Sequence, residues 1–66
     1  DEEAMMSAVH ALPPTFRETI LLYYYQGYGI GEIAKMLDLP EGTISSRLSR
    51  GRKKLEELLK ERGIEP

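Results

Sequence analysis

The chain has 66 residues, a formal charge of −2 and no cysteine. A chain this short buries only about 60% of its unfolded surface, so residues 1–66 read as one domain with a small core and modest stability. The lack of cysteine excludes a disulfide framework and a thiolate metal site, and no stretch approaches the roughly 20 apolar residues of a membrane span. A soluble, cytoplasmic domain cut from a longer protein is expected.

Asp1 to Leu12 opens with three acidic residues, where negative charge suits the positive end of a helix dipole. Met5, Met6, Val9 and Leu12 then recur at helical spacing, which predicts a helix over 3–11. His10 has no Asp, Cys or second His beside it and reads as a boundary residue rather than a ligand or an acid–base group. Leu12-Pro13-Pro14 stops this helix and starts the next, because the residue before proline is pushed out of the α region and proline is tolerated in a first turn.

The second predicted helix covers 14–26, with Phe16, Ile20, Tyr23 and Tyr24 at one spacing and Leu21, Leu22 and Tyr25 filling the sides. So wide an apolar band implies contacts on more than one side. Stacking of nucleic-acid bases on the three tyrosines is disfavoured, since on a helix they point in three directions. Phe16, Tyr23, Tyr24 and Tyr25 are assigned instead to a surface for a partner protein.

Gly27 closes this helix. Gly27, Gly29 and Gly31 follow a helix rather than a strand and lack the G-x-G-x-x-G spacing, so they do not read as a phosphate loop. Over 30–37, Ile30, Ile33, Ala34 and Leu37 form a short buried stripe, with Ala34 small where two helices must cross. Asp38-Leu39-Pro40 is the turn: Asp tolerates left-handed backbone, Leu39 plugs the core and Pro40 precedes the next helix.

The last predicted helix, 41–62, carries most of the functional signal. At about 100° per residue, Ile44, Leu48, Leu55, Leu58 and Leu59 share one arc with Gly51, and this arc must be buried. Opposite lie Ser46, Ser49, Arg50 and Lys53, flanked by Thr43 and Ser45, with Arg47, Lys54 and Arg52 on the shoulders. No Glu or Gln interrupts the run from Thr43 to Lys54. Small side chains let a helix sink into a major groove, hydroxyls bond phosphates or base edges, and Arg pairs bidentately with guanine.

The acidic net charge is resolved by position. Arg47 to Arg62 holds seven basic and three acidic residues, whereas Asp1 to Ser46 holds two basic and seven acidic. Positive charge is confined to one element, as a nucleic-acid reader requires. Beyond Lys54 the basic face ends; Glu56–Lys60 supports the helix and Glu57–Glu61 opposes it. Gly63 terminates the helix, and Ile64 to Pro66 is expected to fray. The fold class is therefore all-α: a small four-helix domain with a helix-turn-helix and no winged element.

Three pieces of the run from Leu12 to Leu55 carry a family resemblance: LPP-x-x-R at Leu12 to Arg17, E-I-A at Glu32 to Ala34, and P-x-G-T-[IV]-x-S-R-L-x-R-x-R from Pro40 to Arg52. Together they resemble the region-four, promoter-recognition domain of bacterial sigma factors of the extracytoplasmic-function class. The resemblance implies binding to the minus-35 promoter element of double-stranded DNA while the protein is attached to the β flap of RNA polymerase; an anti-sigma factor is a candidate partner for the tyrosine-bearing helix. It implies base reading by Ser45, Ser46, Ser49 and Arg50. Phosphate contacts are implied for Thr43, Arg47, Arg52, Lys53 and Lys54, and for amides near Gly29 and Ile30, as helix N-termini make. No cofactor, metal, membrane or small-molecule substrate is implied, and no catalysis.

Departures from the family pattern point to weaker DNA affinity: Ser45 stands where Lys or Arg is frequent, Gly29 where a capping Ser is, and Tyr23 where Arg is. Two other readings stand beside this one. A response-regulator-type helix-turn-helix domain predicts dimers on paired half-sites. A sigma-like interaction module predicts binding to polymerase or an anti-sigma factor with little DNA contact.

Overall fold

Two prolines make the first corner of the chain. The structure, a computed structural model, describes residues 2–63. Helix α1, Glu2–His10, begins and ends one residue before the predicted range, and Pro13 then holds an extended backbone so that Pro14 occupies the first turn of α2, Pro14–Ile20. The corner is pinned by Arg17, whose Nη1 donates to the His10 carbonyl at 3.1 Å. That bond satisfies one of the carbonyls that the end of α1 leaves without a helical partner, and it gives the arginine of LPP-x-x-R a structural task.

The predicted helix over 14–26 is α-helical only to Ile20. Leu21–Tyr25 is wound as a π-helical segment, which closes with the Gln26 amide donating to the Leu21 carbonyl at 3.0 Å. A wider turn leaves no mark on apolar spacing over so few residues, so the periodicity fitted an α-helix equally well. Gly27, at φ +80°, turns the chain out of this segment, and the Tyr28 amide reaches back to the Leu22 carbonyl at 3.1 Å.

Helix α3, Ile30–Leu37, ends at Asp38, the residue expected to accept left-handed geometry, with φ 57° and ψ 50°. The Leu39 amide donates to the Ala34 carbonyl at 2.9 Å and the Asp38 amide to the Lys35 carbonyl at 3.3 Å, the two bonds of a Schellman closure. Pro40 then caps α4, Glu41–Glu61, with its carbonyl accepting from the amides of Thr43 and Ile44. The expected fraying of Ile64 to Pro66 falls outside the described residues.

Val9, Leu12, Ile20, Ile33, Ala34, Ile44 and Leu48 form the central core, with Leu55 and Leu58 half-buried beside it. The buried arc expected along α4 is thus fully covered at Ile44, Leu48, Gly51 and Leu59. Gly51 has a steric reason to be there: a Cβ at this position would stand 3.2 Å from Ile20 Cγ1 and 3.4 Å from Phe16 Cβ. Bare backbone lets α2 and α4 cross closely. Thr19, buried in the same contact region, keeps its hydroxyl bonded to the Thr15 carbonyl at 2.9 Å, which removes the cost of an unpaired buried donor.

At 21 residues α4 runs for about 32 Å at 1.5 Å per residue, nearly the full 36 Å of the molecule's long axis. Its far end is tied to α1 by Arg62 Nη1, which donates to Ser7 Oγ at 2.9 Å. Among the described residues the architecture is entirely helical, and none of its helices is long and apolar enough to cross a membrane.

Candidate nucleic-acid interface

Helix α3, the turn at Asp38 and helix α4 form a helix-turn-helix in which Ile44 and the leucines on the back of α4 set which residues face outward. Ser45, Ser46, Ser49, Arg50, Arg52, Lys53 and Lys54 are exposed, while Thr43 and Arg47 are half-buried. Ser46, Ser49, Arg50 and Lys53 lie within an arc of about 100° at the α-helical advance. Lys54 Nζ lies 3.9 Å from Glu57 Oε2. The pair is half-exposed on both sides and so contributes little to stability, but it draws Lys54 toward the acidic end of α4. The Glu56–Lys60 support expected from sequence is not among the ion pairs formed by the described residues.

The two shoulders of α4 meet different neighbours. On one, Thr43, Arg47 and Arg50 border a shallow depression with Thr15 and Phe16 from the start of α2. On the other, Ser49, Arg52 and Lys53 border an apolar groove walled by Met5, Tyr24, Tyr25 and Leu55. Across that groove Arg52 Nη1 donates to the Tyr24 hydroxyl at 2.6 Å. The hydrogen bond, followed by the electrostatic effect of the same phenol, favours the charged guanidinium and raises its pKa further above the ordinary arginine value.

The residues assigned to a partner surface do not share one surface. Phe16 is half-buried against Gly51 on one shoulder, whereas Tyr24 and Tyr25 stand exposed beside the groove on the other. Tyr23 is half-buried, and its ring meets that of Tyr24 edge-on with centroids 4.9 Å apart. Two exposed apolar side chains escaped sequence reading: Met36, on the outer face of α3, and Tyr28, in the glycine-rich connection. Both border a depression with Leu21 and Leu22. Met36 lies off the Ile30–Leu37 stripe by helical spacing, which was the available signal.

The start of α3 corrects one assignment. The Gly29 amide, expected to face a phosphate, instead donates to Glu32 Oε1 at 2.8 Å. Glycine has no side chain to complete a reciprocal capping box, so the carboxylate alone closes this helix end. Glu41 from α4 adds a second carboxylate, about 3.6 Å from where a Cβ on Gly31 would stand. The amide of Ile30, inside the first turn, has no acceptor within the helix, but it shares its surroundings with this negative charge.

A helix-turn-helix with a hydroxyl-and-guanidinium face, preceded by the Pro-Pro corner, is the arrangement that the sequence comparison matches. The family description sigma-70, region 4 covers residues 2–55. The chain belongs to that family. Among curated relatives, this region-four chain is 39% identical over 56 residues to "ECF RNA polymerase sigma factor SigM" of Mycobacterium tuberculosis, covering 85% of the chain and 29% of that protein. It is 38% identical over 52 residues to "Probable RNA polymerase sigma factor RfaY" of Xanthomonas campestris, covering 79% of the chain and 13% of the relative. With "ECF RNA polymerase sigma factor SigW" of Bacillus subtilis the identity is 36% over 50 residues, covering 76% and 27% respectively. The chain thus spans less than a third of each of these relatives, and the likeness identifies it as the region-four domain of an ECF-type sigma factor.

Proposed function

We propose that this domain recognises the minus-35 element of promoter DNA as part of a sigma factor that directs RNA polymerase to initiate transcription. One observation carries the reading: α4 presents serines and arginines outward, with no acidic residue between Thr43 and Lys54, on a helix-turn-helix clamped from behind by the core. Ser45, Ser46, Ser49 and Arg50 are assigned to base edges. Thr43, Arg47, Arg52, Lys53 and the Ile30 amide are assigned to phosphates, with Lys54 a weaker contact because Glu57 competes for its charge. The domain acts by binding in the cytoplasm and performs no reaction of its own. RNA polymerase, through its β flap, is the assigned partner, and an anti-sigma factor is a second.

Selection of bound sequences from a random DNA pool, with the polymerase-bound protein, tests this directly. A single enriched element placed upstream of the start site is expected; paired half-sites or no enrichment would end the reading. Arg50→Ala should weaken binding to the enriched element by about 1–3 kcal/mol and affect random DNA far less. An equal loss on both would transfer Arg50 to the phosphate contacts. A second reading, an interaction module with little DNA contact, draws support from the exposed Tyr24, Tyr25 and Met36 and from the acidic net charge. It predicts association with polymerase and no enriched element.

A further inference from the structure

We infer that Tyr24 is a positioning residue for DNA binding: its hydroxyl holds the Arg52 guanidinium at the edge of the α4 face, which makes the tyrosine segment part of the DNA interface. The inference rests on the DNA-binding reading above. Its basis is the 2.6 Å bond from Arg52 Nη1 to the Tyr24 hydroxyl, made between residues 28 positions apart.

The chemistry of this pair suits a phosphate site. Both side chains are exposed, so the bond does not serve to satisfy a buried group. A guanidinium has five N–H donors; Tyr24 occupies one, leaving four for an anion. The phenol also keeps its own proton, which can be donated to the same phosphate. A hydroxyl orients the arginine without neutralising it, whereas a carboxylate would compete with DNA for the charge, as Glu57 does at Lys54. Among the described residues Arg52 forms no ion pair.

Tyr24 is itself held. Its ring packs edge-on against Tyr23, 4.9 Å away at 80°, and its backbone lies in the π-wound segment. The wider turn advances successive side chains by a smaller angle than an α-helix does, and so sets where the hydroxyl emerges opposite α4. An exposed arginine has many rotamers to lose on binding. Fixing it in advance against a rigid phenol lowers what DNA binding must freeze.

A double-mutant cycle on the polymerase-bound protein tests this, with Tyr24→Phe, Arg52→Ala and the double variant measured on the enriched DNA element across a salt series. Tyr24→Phe keeps the ring and its packing while removing the hydroxyl. It is expected to lower affinity about threefold, the scale of one hydrogen bond, with the parent's salt slope and thermal midpoint retained. In the Arg52→Ala background, where the slope falls by about 0.9, removing the hydroxyl should have no further effect. The same loss in both backgrounds, no loss in either, or a gain in the parent background would overturn the inference while leaving the DNA reading in place. Failure of the parent protein to select any element would overturn both.

Discussion

On one shoulder of α4, Arg47 is half-buried and borders a depression with Thr15 and Phe16; on the other, Arg52 is exposed and bonded at its tip to a tyrosine hydroxyl. Partial burial restricts the first, as long charged side chains lay their stems along apolar surface, and a hydrogen bond to its head group restricts the second. Both devices direct a guanidinium without cancelling its charge. Lys54, with Glu57 as its neighbour, has the opposite arrangement. Orientation by packing ties an arginine's function to the stability of the fold, whereas a surface hydrogen bond leaves the two separate.

Three measurements would break or sharpen this contrast. The largest effect is expected beneath both shoulders, at Ile44, which is fully buried. Ile44→Ala should destabilise the domain by about 2–5 kcal/mol in chemical denaturation; a loss well under 1 kcal/mol would mean that the α4 face is held from elsewhere. Next come the two arginines, compared directly. Arg47→Ala and Arg52→Ala should each weaken binding to all DNA sequences and reduce the salt slope by about 0.9. Arg47→Ala alone should also lower the thermal midpoint, because it removes a packed stem. Equal midpoints would erase the distinction between the shoulders. The smallest effect belongs to Glu41, exposed in the first turn of α4. Glu41→Gln should raise DNA affinity by less than about 1 kcal/mol at low salt, and screening should abolish the gain at high salt. A gain that persists at high salt would point to a cause other than charge.

Much of this was legible in the sequence because it depends on local spacing. The apolar arc of α4, the left-handed residue at Asp38 and the closing glycine at position 27 all follow from periodicity or backbone sterics over a few residues. What escaped depends on pairs far apart in the chain or on winding that periodicity does not register. No spacing rule links Tyr24 to Arg52, or Arg62 to Ser7. The π segment changes the direction of three tyrosines without changing which residues are apolar, so the spacing could not say which of them would stand exposed beside α4. The Gly29 amide was lost to a competitor three residues away: Glu32 reads as an ordinary exposed acid outside the α3 stripe, yet it is a capping group.

Gly51 ties these observations to a mechanical property. With α4 seated directly on Ile20 and the base of Phe16, a side chain introduced at position 51 would press α2 and α4 apart wherever Ile20 and Phe16 do not yield. A shift of the helix axis by a few tenths of an ångström would move the serines and arginines of the outer face together. Variation at positions 16, 20 and 51 should therefore retune the whole footprint on DNA at once, whereas variation at Ser46, Ser49 or Arg50 should alter it one base at a time.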